Sequence, residues 1–104
     1  MKLIQLEIKA LSYSETQSGA YAMILNEVGG DRKLPIIIGG FEAQSIAIAL
    51  DGEIKTKRPL THDLFKNFSS EFKISLQKIL INKLEDGVFH SNLFFNYNDS
   101  EKIV

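Results

Sequence analysis

The hydrophobic period of this chain changes twice along its length, which constrains its fold more tightly than any other feature. From residue 3 to 11 apolar and polar side chains alternate, with Ile4, Leu6, Ile8 and Ala10 on one face and Gln5, Glu7 and Lys9 opposite. A period of two belongs to a half-buried strand. After Gly39-Gly40 the spacing becomes helical: Ala43, Ile46, Ala47 and Leu50 stand at i, i+3, i+4 and i+7. From Ile74 a β-rich pattern returns. Helices are therefore inserted between two runs of strands, an order that points to an α+β fold rather than a doubly wound sheet.

Finer punctuation fills in the elements. A polar run at 12–19 ends the first strand, a second fits 20–28, and Gly29-Gly30-Asp31 reads as a hairpin turn. Leu34-Pro35-Ile36-Ile37-Ile38 is a continuous β-branched run, expected to be a third strand covered on both faces. Pro35 has no N–H to give, which puts its end of that strand at an edge or entry point. Gly52 suits the stop of the first helix, and a charged loop then ends in Arg58-Pro59. Thr61 is expected to be the N-cap of a second helix with Asp63 in its first turn and Leu64, Phe65 and Phe68 on its apolar face. Residues 74–84 alternate imperfectly. Glu85-Asp86-Gly87 reads as a hairpin turn, and Phe89, Leu93, Phe95 and Tyr97 line one face of a last full strand, with Phe94 opposite. Glu101-Lys102-Ile103-Val104 resembles the start of another strand. The prediction is a single α+β domain over 1–104: a mainly antiparallel sheet of about five strands with two helices after the third (βββααββ). Ala43, Ile46, Ala47, Leu50, Leu64, Phe65 and Phe68 are expected to be buried against that sheet.

Charge and composition narrow the chemistry. With no cysteine there is neither a disulfide framework nor a thiolate metal site. Twelve Lys and Arg against 13 Asp and Glu give a net charge of −1, without the basic excess of a nucleic-acid-coating protein. Any nucleic-acid binding is thus expected to be weak and non-specific, carried by Lys55, Lys57 and Arg58. A start that alternates lacks the unbroken apolar stretch of a signal peptide or membrane span, so a cytoplasmic location away from membranes is expected.

Two segments could carry chemistry. Gly39-Gly40-Phe41-Glu42 lies at a strand-to-helix junction, where free amides attract anions, but it lacks the spacing and lysine of a phosphate loop. Arg58-Pro59-Leu60-Thr61-His62-Asp63 offers a planar guanidinium for phosphate, an imidazole that titrates near neutrality, and a carboxylate that could bind a metal or orient the histidine. The bland explanation of both is helix starts with structural ion pairs. The available ligands are oxygen-rich, which suits Mg²⁺ or Mn²⁺ better than Zn²⁺.

Taken together, Leu34-Pro35-Ile36-Ile37-Ile38-Gly39, Glu42-Ala43, Ile46-Ala47, Arg58-Pro59-Leu60-Thr61-His62-Asp63-Leu64 and Asp86-Gly87-Val88-Phe89 resemble the bifunctional nuclease family, a bacterial domain with plant relatives. The likeness runs from about Met1 to Asn96. It implies an α+β fold, a tendency to self-associate and, in plant relatives, cleavage of both RNA and DNA. Glu42, Arg58, Thr61, His62 and Asp63 occupy the family's polar motif positions. The family pattern continues into a second helix with an Arg-Pro-Ser-Asp-like start, so the chain is expected to lack a C-terminal segment.

Two readings of function follow. In the first the chain is a divalent-metal-dependent nuclease: Glu42 and Asp63 hold Mg²⁺ or Mn²⁺, His62 acts as acid and base, and Arg58, with Thr61, Lys55 and Lys57, binds substrate. In the second it is a non-catalytic oligomerising or binding domain whose motif residues form an ion-pair and helix-capping network. Apolar residues on both faces of the later strands predict a homo-oligomer, with a dimer favoured.

Overall fold

The computed structural model describes residues 2–13 and 19–104 of the chain. It separates into two compact units, Met1–Lys55 and Thr56–Val104. Most of the expected polar break after the first strand, residues 14–18, lies outside the described residues.

The first unit holds β1 (Leu6–Tyr13), β2 (Ala20–Glu27), β3 (Lys33–Gly39) and α1 (Gly40–Leu50). The strands form an antiparallel sheet in the order β1-β2-β3. β3 is an edge strand, as Pro35 requires, but it is not covered on both faces. Leu34, Ile36 and Ile38 are half-buried while Lys33, Pro35 and Ile37 are exposed, because one helix covers one face of a small sheet. The register also corrects the first strand. A bulge between Ile8 and Ala10 inserts Lys9 and turns the alternation over. Ile8 pairs with Leu25 and Leu11 with Met23, whereas Ala10 pairs with Ile24 on the opposite face. Leu11 therefore replaces Ala10 beside Leu6 and Ile8.

The β2–β3 connection is closed by Glu27 N–H donating to the Arg32 carbonyl at 2.9 Å, with Gly29 in the left-handed region at φ 76°. Across it the Arg32 guanidinium meets the Glu27 carboxylate, Nη2 to Oε2 at 2.7 Å and Nε to Oε1 at 3.3 Å. That contact holds the Glu27 carboxyl below its ordinary range and Arg32 above its own. α1 packs on β2 and β3. The core of this unit centres on Leu25 (8% exposed) and Ala43 (3%). Of the other α1 residues expected in the core, Ile46 is half-buried while Ala47 and Leu50 are exposed. Ile48 is half-buried instead, since the apolar residues of this helix run nearly all the way round it.

The second unit holds α2 (Thr61–Glu71), β4 (Ser75–Glu85), β5 (Val88–Tyr97) and β6 (Ser100–Ile103). Its strands form a second antiparallel sheet, β4-β5-β6. The fold class is thus α+β with three strands, two helices and three further strands, in two small sheets rather than one of about five strands. β6 is the extra strand; Leu93 and Val104 exchange N–H···O bonds at 2.8 and 2.9 Å beside it. Both hairpins turn on two residues of positive φ, Asp86-Gly87 (52° and 77°) and Asn98-Asp99 (52° and 60°), as tight two-residue turns demand. Gln77 and Asn82 are inserted at shifts between Leu76 and Lys78 and between Ile81 and Lys83, which accounts for the imperfect alternation of this strand. Phe94 is half-buried, with the Lys78 ammonium 4.5 Å from its ring centroid and Ile103 paired beside it.

α2 departs most from expectation. Leu64, Phe65 and Phe68 are 63, 72 and 56% exposed rather than buried. The helix makes no extended contact with β4, β5 or β6, whose strands pair with one another, and Phe68 stacks on Phe72 of its own turn at 4.7 Å. No helix in the described residues is long and apolar enough to cross a membrane.

Candidate functional site

The segment singled out as Arg58-Pro59-Leu60-Thr61-His62-Asp63 forms the entry to α2. Its cap differs from the expected one. Leu60, with extended backbone (φ −75°, ψ 167°), is the N-cap and Thr61 is the first helical residue. Leucine has no side-chain acceptor, so the cap comes from inside the helix: Leu60 N–H donates to Asp63 Oδ2 at 2.9 Å. This is half of a capping box, with Asp63 three residues after the cap supplying the carboxylate. The negative charge also faces the positive end of the helix dipole.

The other oxygen of Asp63 is engaged too. His62 Nε2 lies 3.3 Å from Asp63 Oδ1, with both side chains about two-fifths exposed. His62 thus lies beside its neighbour's carboxylate and is open to solvent. Before them, the Thr56 hydroxyl donates to the Arg58 carbonyl at 2.5 Å, closing a tight bend, and Pro59 fixes the next φ.

The bend and the helix border an open, shallow cavity of about 360 Å³ lined by Thr56, Lys57, Arg58, Pro59, Asp63, Lys66 and Asn67. Of the expected site residues, Lys57, Arg58 and Asp63 line it; Thr61 and His62 lie on the adjoining first turn of α2. Lys66 and Asn67 were not anticipated. Their signal was spacing: they stand three and four residues after Asp63 and so share its helix face.

Glu42 and Lys55 belong to the first unit. Lys55 is exposed at its last position. Glu42 stands three residues after Gly39, the N-cap of α1, and folds back over it so closely that a Cβ at Gly39 would collide with the carboxylate. That carboxylate is the free end of an exposed side chain and can swing aside, and φ at Gly39 is −75°, so neither contact nor backbone conformation demands glycine there. The two acids most favoured for chemistry hold the same position in their own helices, each turned toward its own cap.

That geometry bears on a divalent ion. Among the described residues no group of three or more His, Asp or Glu side chains gathers as a metal-binding set. Within the second unit an ion at Asp63 would compete with the Leu60 amide and His62 for both oxygens. These residues do not fit a resident Mg²⁺ or Mn²⁺ as they stand.

Comparison with known proteins places the chain. Over 76 residues, 73% of its length, it is 41% identical to two uncharacterized proteins of Mycobacterium tuberculosis, MT1877 and Rv1829. The match covers 46% of each, so the chain spans about half the length of the curated relatives it matches. Residues 23–104 match the bifunctional nuclease domain, a stretch that includes β3, α1, the Arg58–Asp63 segment and the whole of the second unit. With most of its length inside that match, the chain belongs to the bifunctional nuclease domain family.

Proposed function

We propose that this chain is a phosphodiester hydrolase acting on RNA, DNA or both. The observation that supports this reading is the cavity at the entry to α2, where Lys57 and Arg58 stand without a carboxylate partner among the described residues, next to the exposed His62. Arg58 suits the non-bridging oxygens of a phosphodiester, since its planar fork matches that geometry. His62, beside Asp63, takes a proton from the attacking water. One P–O bond forms, another breaks, and the departing oxygen takes its proton from solvent. Substrate contact is extended by Thr61 and Lys57. Binding is weak, non-specific and salt-dependent, because few cations release counterions from the backbone. Mg²⁺ or Mn²⁺ is the metal to test; no step above passes through it.

The test is cleavage of labelled single-stranded RNA and DNA with Mg²⁺, Mn²⁺ or EDTA. Wild type is compared with Glu42→Ala, Arg58→Ala and His62→Ala. Loss of the histidine is expected to lower kcat by about 10²–10⁴-fold. Loss of the arginine should act mainly on KM. Identical rates in all four proteins would mean a contaminating nuclease; either that result or an inactive wild type removes the hydrolase reading.

One observation favours a second reading. Both Asp63 oxygens are engaged in the cap and the His62 contact, which supports a binding domain whose motif acids order its helices. In either reading we propose a homo-oligomer, a dimer first, supported by the exposed apolar residues of α2 and β4. Light scattering over a concentration series that gives a constant monomer mass would refute it.

A further inference from the structure

We infer that Lys66, with Asn67 beside it, completes a metal-independent site for a phosphate group in the cavity at the entry to α2. Three cations line that cavity: Lys57 and Arg58 from the bend, Lys66 from the helix. None is ion-paired among the described residues, where the ion pairs are Arg32–Glu27 and Lys83–Glu85 and His62 lies beside Asp63. The one carboxylate in the lining, Asp63, has one oxygen on the Leu60 amide and the other by His62. Like charges gathered around one cavity repel, and an anion between them relieves that repulsion.

The walls are ordered by local bonding. The Thr56 hydroxyl closes the bend onto the Arg58 carbonyl, Pro59 fixes the backbone that follows, and the Asp63 cap ties the bend to the helix. A pre-ordered site loses less entropy when it binds. Asn67 adds an amide that can donate to an anion's oxygen. The cavity is open to solvent, and its largely polar lining suits a hydrated phosphate rather than an apolar ligand. The phosphate could be a nucleotide's or that of a nucleic-acid backbone. Identifying it with a substrate phosphodiester rests on the hydrolase reading; the anion site itself does not.

The test is a ¹H–¹⁵N titration of the whole chain in EDTA with inorganic phosphate, against chloride at matched ionic strength. Saturable shifts are expected at the amides of Lys57, Arg58, Lys66 and Asn67. A mononucleotide and a short oligothymidylate then distinguish the two sources of phosphate. Lys66→Gln should weaken binding several-fold and, for the oligonucleotide, lower the slope of log K against log salt by about 0.7. Lys66→Arg, which keeps the charge, should bind like wild type. Lys102→Ala, an exposed lysine on β6 outside the cavity lining, should change nothing. Shifts that fail to saturate, that spread equally to Lys73, Lys83 and Lys102, or that saturate with unchanged affinity in Lys66→Gln would overturn the site. A saturating titration without cleavage retires the hydrolase reading and leaves the site; cleavage with a flat titration does the reverse.

Discussion

Replacing Asp63 with alanine separates a structural carboxylate from a catalytic one. The substitution removes the 2.9 Å bond from the Leu60 amide and the negative charge at the start of α2. Losing a helix cap costs about 0.5–2 kcal/mol, typically about 1. Losing a charge that faces the dipole costs about 0.3–1 kcal/mol more, toward the low end here because Asp63 is 41% exposed. The sum is about 1.3 kcal/mol. For a domain near this size 1 kcal/mol corresponds to roughly 4–8 °C in Tm, so Asp63→Ala should melt roughly 5–10 °C lower. Asp63→Asn keeps an acceptor oxygen for Leu60 and should lose less than half as much. A local readout guards against the two units unfolding separately. The Leu60 amide should exchange about tenfold faster in Asp63→Ala, since about 1.4 kcal/mol is a factor of ten. Unchanged melting and unchanged Leu60 exchange would refute the capping argument. Asp63→Asn with full stability but no cleavage would assign the carboxylate to the reaction.

Two further outcomes follow from local geometry. Glu27 has its carboxyl lowered from an ordinary value of 4.5, first by its hydrogen bond to Arg32. A lowered folded-state value means stability that is present above about pH 4.5 and lost as pH falls through the folded value. Glu27→Gln should therefore abolish that loss in acid denaturation of the β2–β3 hairpin, and an unchanged acid profile would contradict the ion pair's role. α2 ends with the Ile74 amide on the Ser69 carbonyl (2.8 Å) and the Lys73 amide on the Ser70 carbonyl (3.1 Å), with Lys73 left-handed at φ 56°. A side chain in that conformation is strained and glycine is not, so Lys73→Gly should raise stability by about 1 kcal/mol in urea denaturation.

The sequence by itself determined the order of elements, the Asp86-Gly87 turn and Pro35 on an edge strand. It also brought out the run from Lys57 to Asp63 that borders the cavity. Each depends on a residue's own backbone preference or on neighbours within a turn. Tertiary structure decided the rest. An inserted residue at Lys9, Gln77 or Asn82 is defined only against the strand opposite, so no periodicity within one strand could show that Leu11 and not Ala10 joins Leu6 and Ile8. The apolar stripe of α2 was legible, but the absence of extended contact between that helix and β4, β5 or β6 was not. Amphipathicity says which side of a helix avoids water, and only packing says what, if anything, covers it. Glu42 and Asp63 were conspicuous as charged residues in motif positions. That each is turned toward its own helix start depends on backbone direction at the cap, which a carboxylate's place in the sequence does not encode. Lys66 was passed over for the converse reason: it belongs to no motif, and becomes a neighbour of Arg58 only once a bend and a helix face border the same space.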